Sequence, residues 1–168
     1  MVIGSGGSGK STFAGQVGPA LGLEVTYLDR LFWKSGWVRV SPSGQEAIVS
    51  EIVSRTKWII DGDHLRTQPA RFAAADTVIF LDFPRILCLG RTVRRFFQYR
   101  GRSRVGMAAD CPERLTLALL QWVWQYPNDN RGQVLENIAR SGAGCRVVTL
   151  RDPEEARQFL GVLQSSGD

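Results

Sequence analysis

Apolar residues fall along the chain in short, nearly unbroken runs, separated by longer stretches with helical patterning. The runs at Met1–Ile3, Glu24–Leu28, Trp58–Asp61, Thr77–Asp82 and Arg146–Leu150 read as strands. Continuous rather than alternating apolarity marks strands buried on both faces, the habit of parallel sheets. Helical patterns lie near Lys10–Leu21, Ser43–Thr56, Arg85–Gln98, Pro112–Tyr126, Asn130–Ser141 and Pro153–Gln164. Pro84, Pro112 and Pro153 each sit near a predicted helix start, where a missing N–H costs nothing. Strand–helix alternation with short connections predicts an α/β fold of three layers, with right-handed crossovers between parallel strands. No internal repeat or linker divides the chain, so residues 1–168 read as one domain. The first strand is so short that further residues are expected before Met1. A frayed tail is expected at Ser165–Asp168.

Composition narrows the picture. With 43% hydrophobic and 22% charged residues the chain is globular rather than disordered. No run reaches the roughly 18 apolar residues of a membrane span. The start lacks a basic region followed by an apolar one, so a cytoplasmic protein is expected. Cys88, Cys111 and Cys145 are widely spaced and share the chain with one histidine, His64. Neither a disulfide framework nor a zinc site is expected, and the thiols should pack as small hydrophobes. Net charge is +5, carried by 18 arginines and 3 lysines. Eight of the arginines lie between Arg85 and Arg114, against Asp110 and Glu113 alone. Such a block attracts phosphates, whether of a nucleotide or of a nucleic acid.

One motif decides the class. Gly4-Ser5-Gly6-Gly7-Ser8-Gly9-Lys10-Ser11 matches G-x-x-x-x-G-K-[ST] in full, between a predicted strand and a predicted helix. Glycines let backbone N–H groups approach phosphate oxygens, and the helix adds its positive end to the same anion. Lys10 is expected on the β- and γ-phosphates, the Ser11 hydroxyl on Mg²⁺, and Thr12 on the α-phosphate. The motif therefore predicts a nucleotide site for ATP and Mg²⁺ formed by Gly4–Thr12.

The motif and its surroundings resemble the small nucleoside-monophosphate kinases of the adenylate-kinase type. The likeness rests on the N-terminal loop, Leu28-Asp29, Ile60-Asp61-Gly62, Leu81-Asp82-Phe83-Pro84, Arg91 and Arg95. The chain is more closely similar to the bacterial DNA topology modulation proteins, which are adenylate-kinase-like in fold. That match is carried by Met1–Thr12, Leu28–Trp33 with Gly36-Trp37, Trp58–Gly62, Ala75–Asp82, Cys111–Arg114 and Trp122–Tyr126. The resemblance implies a P-loop NTPase fold with a five-stranded parallel sheet of adenylate-kinase type. It also implies a short lid over 99–110 and an acceptor-binding segment over 29–57. The activity implied is transfer of the ATP γ-phosphate to a small-molecule acceptor; the alternative is a nucleotide-dependent switch associated with DNA.

The resemblance points Arg91 and Arg95, four apart on one helix face, at the phosphates, and puts Asp61 near the metal with Ser11. Asp29 is placed to orient or deprotonate an acceptor hydroxyl. Arg131, and one or more of Arg100, Arg102, Arg104 and Arg114, would close on the nucleotide. Asp82 is expected to cap the next helix. The chain departs from adenylate kinases at Asp61-Gly62-Asp63-His64-Leu65-Arg66, which stands where they carry Asp-Gly-Phe-Pro-Arg. Their monophosphate-binding segment is replaced by the tryptophan-bearing Arg30–Val40. Arg66 and Arg71 read either as holders of an anionic acceptor or as surface charges. Trp33 and Trp37 read either as an aromatic wall or as packing, and Trp58, Trp122 and Trp124 as packing.

Overall fold

The structure, a computed structural model, describes residues 1–104, 106–142 and 144–165. All five predicted strands form: β1 (Val2–Gly4), β2 (Val25–Tyr27), β5 (Ile59–Asp61), β6 (Thr77–Leu81) and β7 (Arg146–Leu150). They make one parallel sheet in the order β2-β5-β1-β6-β7. A two-stranded antiparallel hairpin, β3 (Trp33–Lys34) with β4 (Val38–Arg39), stands apart from it. Among the described residues there are eight α-helices: α1 (Lys10–Leu21), α2 (Leu28–Phe32), α3 (Pro42–Val53), α4 (Gln68–Ala74), α5 (Arg85–Gln98), α6 (Leu117–Asp129), α7 (Arg131–Arg140) and α8 (Pro153–Ser165). None is long and apolar enough to cross a membrane.

Strand side chains alternate between the two faces, and each face carries its own core. Val2, Ile59, Ile79 and Leu81 pack toward α1, α5, α6 and α8, against Phe13, Val17, Cys88, Val123 and Leu160. Their neighbours Ile3, Ile60, Val78 and Phe80 face the other way, onto Leu28, Phe32, Val49, Ile52, Phe72 and Val134. Fully burying one such side chain contributes roughly 1.5–3 kcal/mol, so both helical layers are fastened to the sheet through its central strands.

Three departures from expectation concern the site. The helix predicted from Pro112 begins instead at Leu117, where the Thr116 hydroxyl accepts the Leu119 N–H at 3.1 Å. Residues 112–116 are drawn away from helix because Glu113 pairs with Arg100 and donates its N–H to the Arg102 carbonyl. Secondly, α2 follows β2 directly, and the tryptophan segment folds as the hairpin. Thirdly, the lid-like segment lies on that hairpin. Met107, Ala108 and Cys111 pack against Trp33 and Trp37, whose rings meet edge to face at 5.4 Å. Gly36 N–H and Ser35 Oγ both donate to Asp110, at 3.2 and 3.1 Å. Val105 of the lid-like segment and Ser166–Asp168 of the expected frayed tail lie outside the described residues. The three thiols are free, Cys88 and Cys111 buried and Cys145 half-buried.

Candidate functional site

Strand β1 is central, and the chain leaves it for β2 and β5 on one side and for β6 and β7 on the other. Ligands bind at such a switch point, outside the carboxyl ends of the strands. The Gly4–Gly9 loop occupies that position, joining β1 to α1. Gly7 has φ +77°, and a Cβ there would sit 2.1 Å from the Cys88 carbonyl oxygen, so only glycine fits. Gly9 precedes α1 with φ +92° and offers no capping side chain. The first N–H groups of α1 thus lack a side-chain cap, and the positive end of the helix is open to an anion. The hydroxyls of Ser5 and Ser8 are buried in the loop without a partner.

A cleft of about 850 Å³ opens beside the loop. Gly7–Thr12 line it together with Arg91, Arg94 and Arg95 of α5 and Pro153, Ala156, Arg157 and Leu160 of α8. Arg104 reaches in from the lid-like segment. Six cationic side chains line this cleft and, among the described residues, no carboxylate does. Arg91 donates to the Ser8 carbonyl at 3.1 Å and lies over the Phe83 ring at 5.6 Å, which aims it along the loop.

On the other side of Lys10 stand carboxylates. Ser11 Oγ donates to Asp61 Oδ2 at 2.6 Å, while Asp61 Oδ1 is buried with no partner. Burial raises the Asp61 pKa against the opposing pull of Lys10 and of the Ser11 hydrogen bond. Burial also raises the Asp63 pKa. Its Oδ1 accepts from the Gly4 N–H at 3.3 Å, the Tyr126 hydroxyl at 2.9 Å and Gln68 Nε2 at 3.2 Å, tying the loop to α4 and α6. Ser11 and Asp61 supply hard oxygens side by side, one of them lacking a partner. That is the donor set a Mg²⁺ ion takes when phosphates and water complete its shell. Among the described residues no three His, Cys, Asp or Glu side chains converge, so phosphate and water would have to supply the rest.

From there a chain of charges runs toward the cleft. His64 Nε2 lies 3.0 Å from Asp29 Oδ1, and Arg104 Nη2 donates to Asp29 Oδ2 at 2.9 Å. Arg104 Nε pairs with Glu113 Oε2 at 3.2 Å, and Arg95 Nε donates to Glu113 Oε1 at 2.7 Å. Burial works to raise the Asp29 pKa, but the His64 hydrogen bond, Lys10 and Arg104 outweigh it and hold the carboxyl well below its usual range.

Of the expected site residues, the fold brings together Gly7–Thr12, Arg91 and Arg95 on the cleft and joins Ser11 to Asp61, with Gly4–Gly6 completing the loop and Asp29 across Lys10. Arg131 goes elsewhere. It grips Asp82 with three contacts of 2.8–3.0 Å and is not among the residues lining the cleft. Asp82 therefore holds Arg131 and caps nothing; α5 starts at Arg85, preceded by Pro84, without a side-chain cap. Arg71 is neither a surface charge nor an acceptor ligand. It is fully buried and donates to the carbonyls of Gly62, Asp63, His64 and Thr67. Arg66 is exposed, 3.9 Å from Glu46. Arg104 is the lid arginine that lines the cleft. Glu113 lies in the Cys111–Arg114 segment, and Asp63 and His64 in the Asp61–Arg66 segment, but neither segment reveals their partners, which lie 18, 59 and 35 residues away. The chain matches no protein-family model and no curated protein.

Proposed function

We propose that the protein binds ATP with Mg²⁺ and transfers the γ-phosphate to a small-molecule acceptor. The observation carrying this reading is the Gly4–Ser11 loop at the end of the central strand, with Lys10 and Arg91 on a cleft whose charged lining side chains, among the described residues, are all cationic. Loop N–H groups and the start of α1 bind the phosphates, and Lys10 reaches toward the transferring group. Arg91, steered by the Ser8 carbonyl, and Arg95, steered by Glu113, neutralise charge on the equatorial oxygens as transfer proceeds. Ser11 and Asp61 would hold the Mg²⁺, which would supply positive charge to offset that of the phosphate oxygens. The lid-like segment brings Arg104 to the same cleft and excludes water, so the donor is not spent on hydrolysis.

The reading extends to kinship. Strand β1 at the centre of a five-stranded parallel sheet supports a P-loop fold of adenylate-kinase type. The order of the motifs supports a place beside the DNA topology modulation proteins. The test is ADP release from ATP and Mg²⁺ with pooled nucleosides, nucleoside monophosphates, sugars and polyols, run beside Lys10→Ala. Acceptor-stimulated turnover that disappears in the variant is expected. ATP binding with no stimulation by any pool would overturn the kinase and leave the DNA-associated nucleotide switch as the reading to test.

A further inference from the structure

The two sides of Lys10 differ in how their charges are used. On the cleft side, Lys10 and Arg91 have no carboxylate partner among the described residues; Arg91 touches a carbonyl and a ring. On the side of Asp29 and His64, each arginine in contact is already engaged. Arg104 is 15% exposed and held between Asp29 and Glu113. Arg71 is fully buried and spread over four backbone carbonyls, including that of His64. Lys10 acts electrostatically on three carboxylates there, Asp29, Asp61 and Asp63. A phosphorylated acceptor entering this side would meet like charge and would have to strip Arg104 from Asp29.

His64 is held from several sides in a strained conformation. Its backbone is left-handed, φ 32° and ψ 72°, a region that a non-glycine residue keeps only where its surroundings enforce it. Here its carbonyl accepts from Arg71 Nη2 and the Thr67 N–H, both at 3.0 Å, and Phe32 packs edge-on against its ring at 4.7 Å. The Asp29 carboxylate can only accept from Nε2. Nε2 therefore carries a proton, and Nδ1 has no protein partner among the described residues. A carboxylate fixing the imidazole tautomer is the arrangement that makes histidine a directed base.

We propose, resting on the phosphotransferase reading above, that the acceptor is an uncharged hydroxyl compound and that His64, held by Asp29, takes the proton of the attacking hydroxyl. The acceptor oxygen forms its bond to the γ-phosphorus as the bond from that phosphorus to the β,γ-bridging oxygen breaks. The bonding pair leaves on ADP, and the hydroxyl proton passes to His64 Nδ1. Nothing is oxidised or reduced. Asp29 is a positioning residue in this step, since it touches the base and not the acceptor.

The experiment compares matched pools, adenosine, thymidine, glucose and glycerol against their monophosphates, by ADP release with saturating ATP and Mg²⁺. Stimulation by the uncharged pool alone is expected. His64→Asn, chosen because asparagine tolerates the left-handed backbone, should lower kcat about 100-fold or more with the Kd for ATP unchanged. Asp29→Asn should lower kcat with little change in KM for ATP, because the imidazole loses its tautomer but the nucleotide site does not. Stimulation by the monophosphate pool, or an unchanged kcat in His64→Asn, overturns the acceptor assignment and leaves the kinase standing. ATP binding abolished by Lys10→Ala, with no turnover from either pool, overturns both.

Discussion

Glu113 is the side chain whose removal tests the charge chain most directly. It is 7% exposed and pairs with both Arg95 and Arg104. Glu113→Gln keeps the volume and one acceptor oxygen but removes the negative charge. Arg104 retains Asp29; Arg95 is left without a carboxylate, and the two guanidiniums repel each other. Breaking a fully buried pair costs about 3–5 kcal/mol, whereas an exposed pair contributes at most about 1 kcal/mol. Arg95 is 23% exposed and can recover some hydration, which puts the cost at about 2–3 kcal/mol. At this chain length that corresponds to a melting point lower by roughly 4–12 °C. Urea unfolding followed by tryptophan fluorescence and by far-ultraviolet circular dichroism measures it. Salt supplies the control, because exposed pairs are screened at about 1 M ionic strength and buried ones much less. A loss under about 1 kcal/mol, or one that vanishes at high salt, would show that Glu113 is a surface ion pair and refute the reasoning.

Three further substitutions test other parts of the site. Gly7→Ala puts a Cβ against the Cys88 carbonyl at a positive φ, and should cost about 3 kcal/mol or more and abolish ATP binding by calorimetry. Arg131→Ala should cost about 1.5–3 kcal/mol by stranding Asp82, yet leave ATP affinity unchanged; a weaker Kd would return Arg131 to the nucleotide site. Asp29 has a folded pKa below its unfolded value near 3.9, so its stabilisation is fully present above that pH and is lost as pH falls through the folded pKa. The gap in urea midpoint between wild type and Asp29→Asn should therefore narrow from pH 7 to pH 3, and a gap that widens would contradict the assignment.

The sheet and the loop were legible in the sequence for a common reason: local residue choice carries them. Val2-Ile3, Ile59-Ile60 and Val78–Leu81 are apolar on both faces because both faces are covered, and Gly7 is glycine because a carbonyl oxygen lies where a Cβ would be. The α2–hairpin region gave no such signal. Its two-residue strands are held by Met107, Ala108 and Cys111, some 70 residues further on. The start of α6 was misjudged because Pro112 suits a helix start, while Glu113 has a stronger use in pairing with Arg95 and Arg104. His64 could be placed beside the acceptor side from sequence, but neither its pairing with Asp29 nor Asp63's hold on the loop could be read, because those partners are 35 and 59 residues distant. Arg71 read either as a holder of an anionic acceptor or as a surface charge, and its burial among four backbone carbonyls makes it neither.

What unites these residues is the position of Lys10 between two fields of opposite sign. A parallel sheet delivers the ends of β1, β2 and β5 to one edge, so the loop, Asp29 and Asp61 must meet there whatever the chemistry. Asp29 and Asp61 repel each other there, and Lys10 attracts both. Arg104 joins the two fields, since it lines the cleft while resting on Asp29 and Glu113.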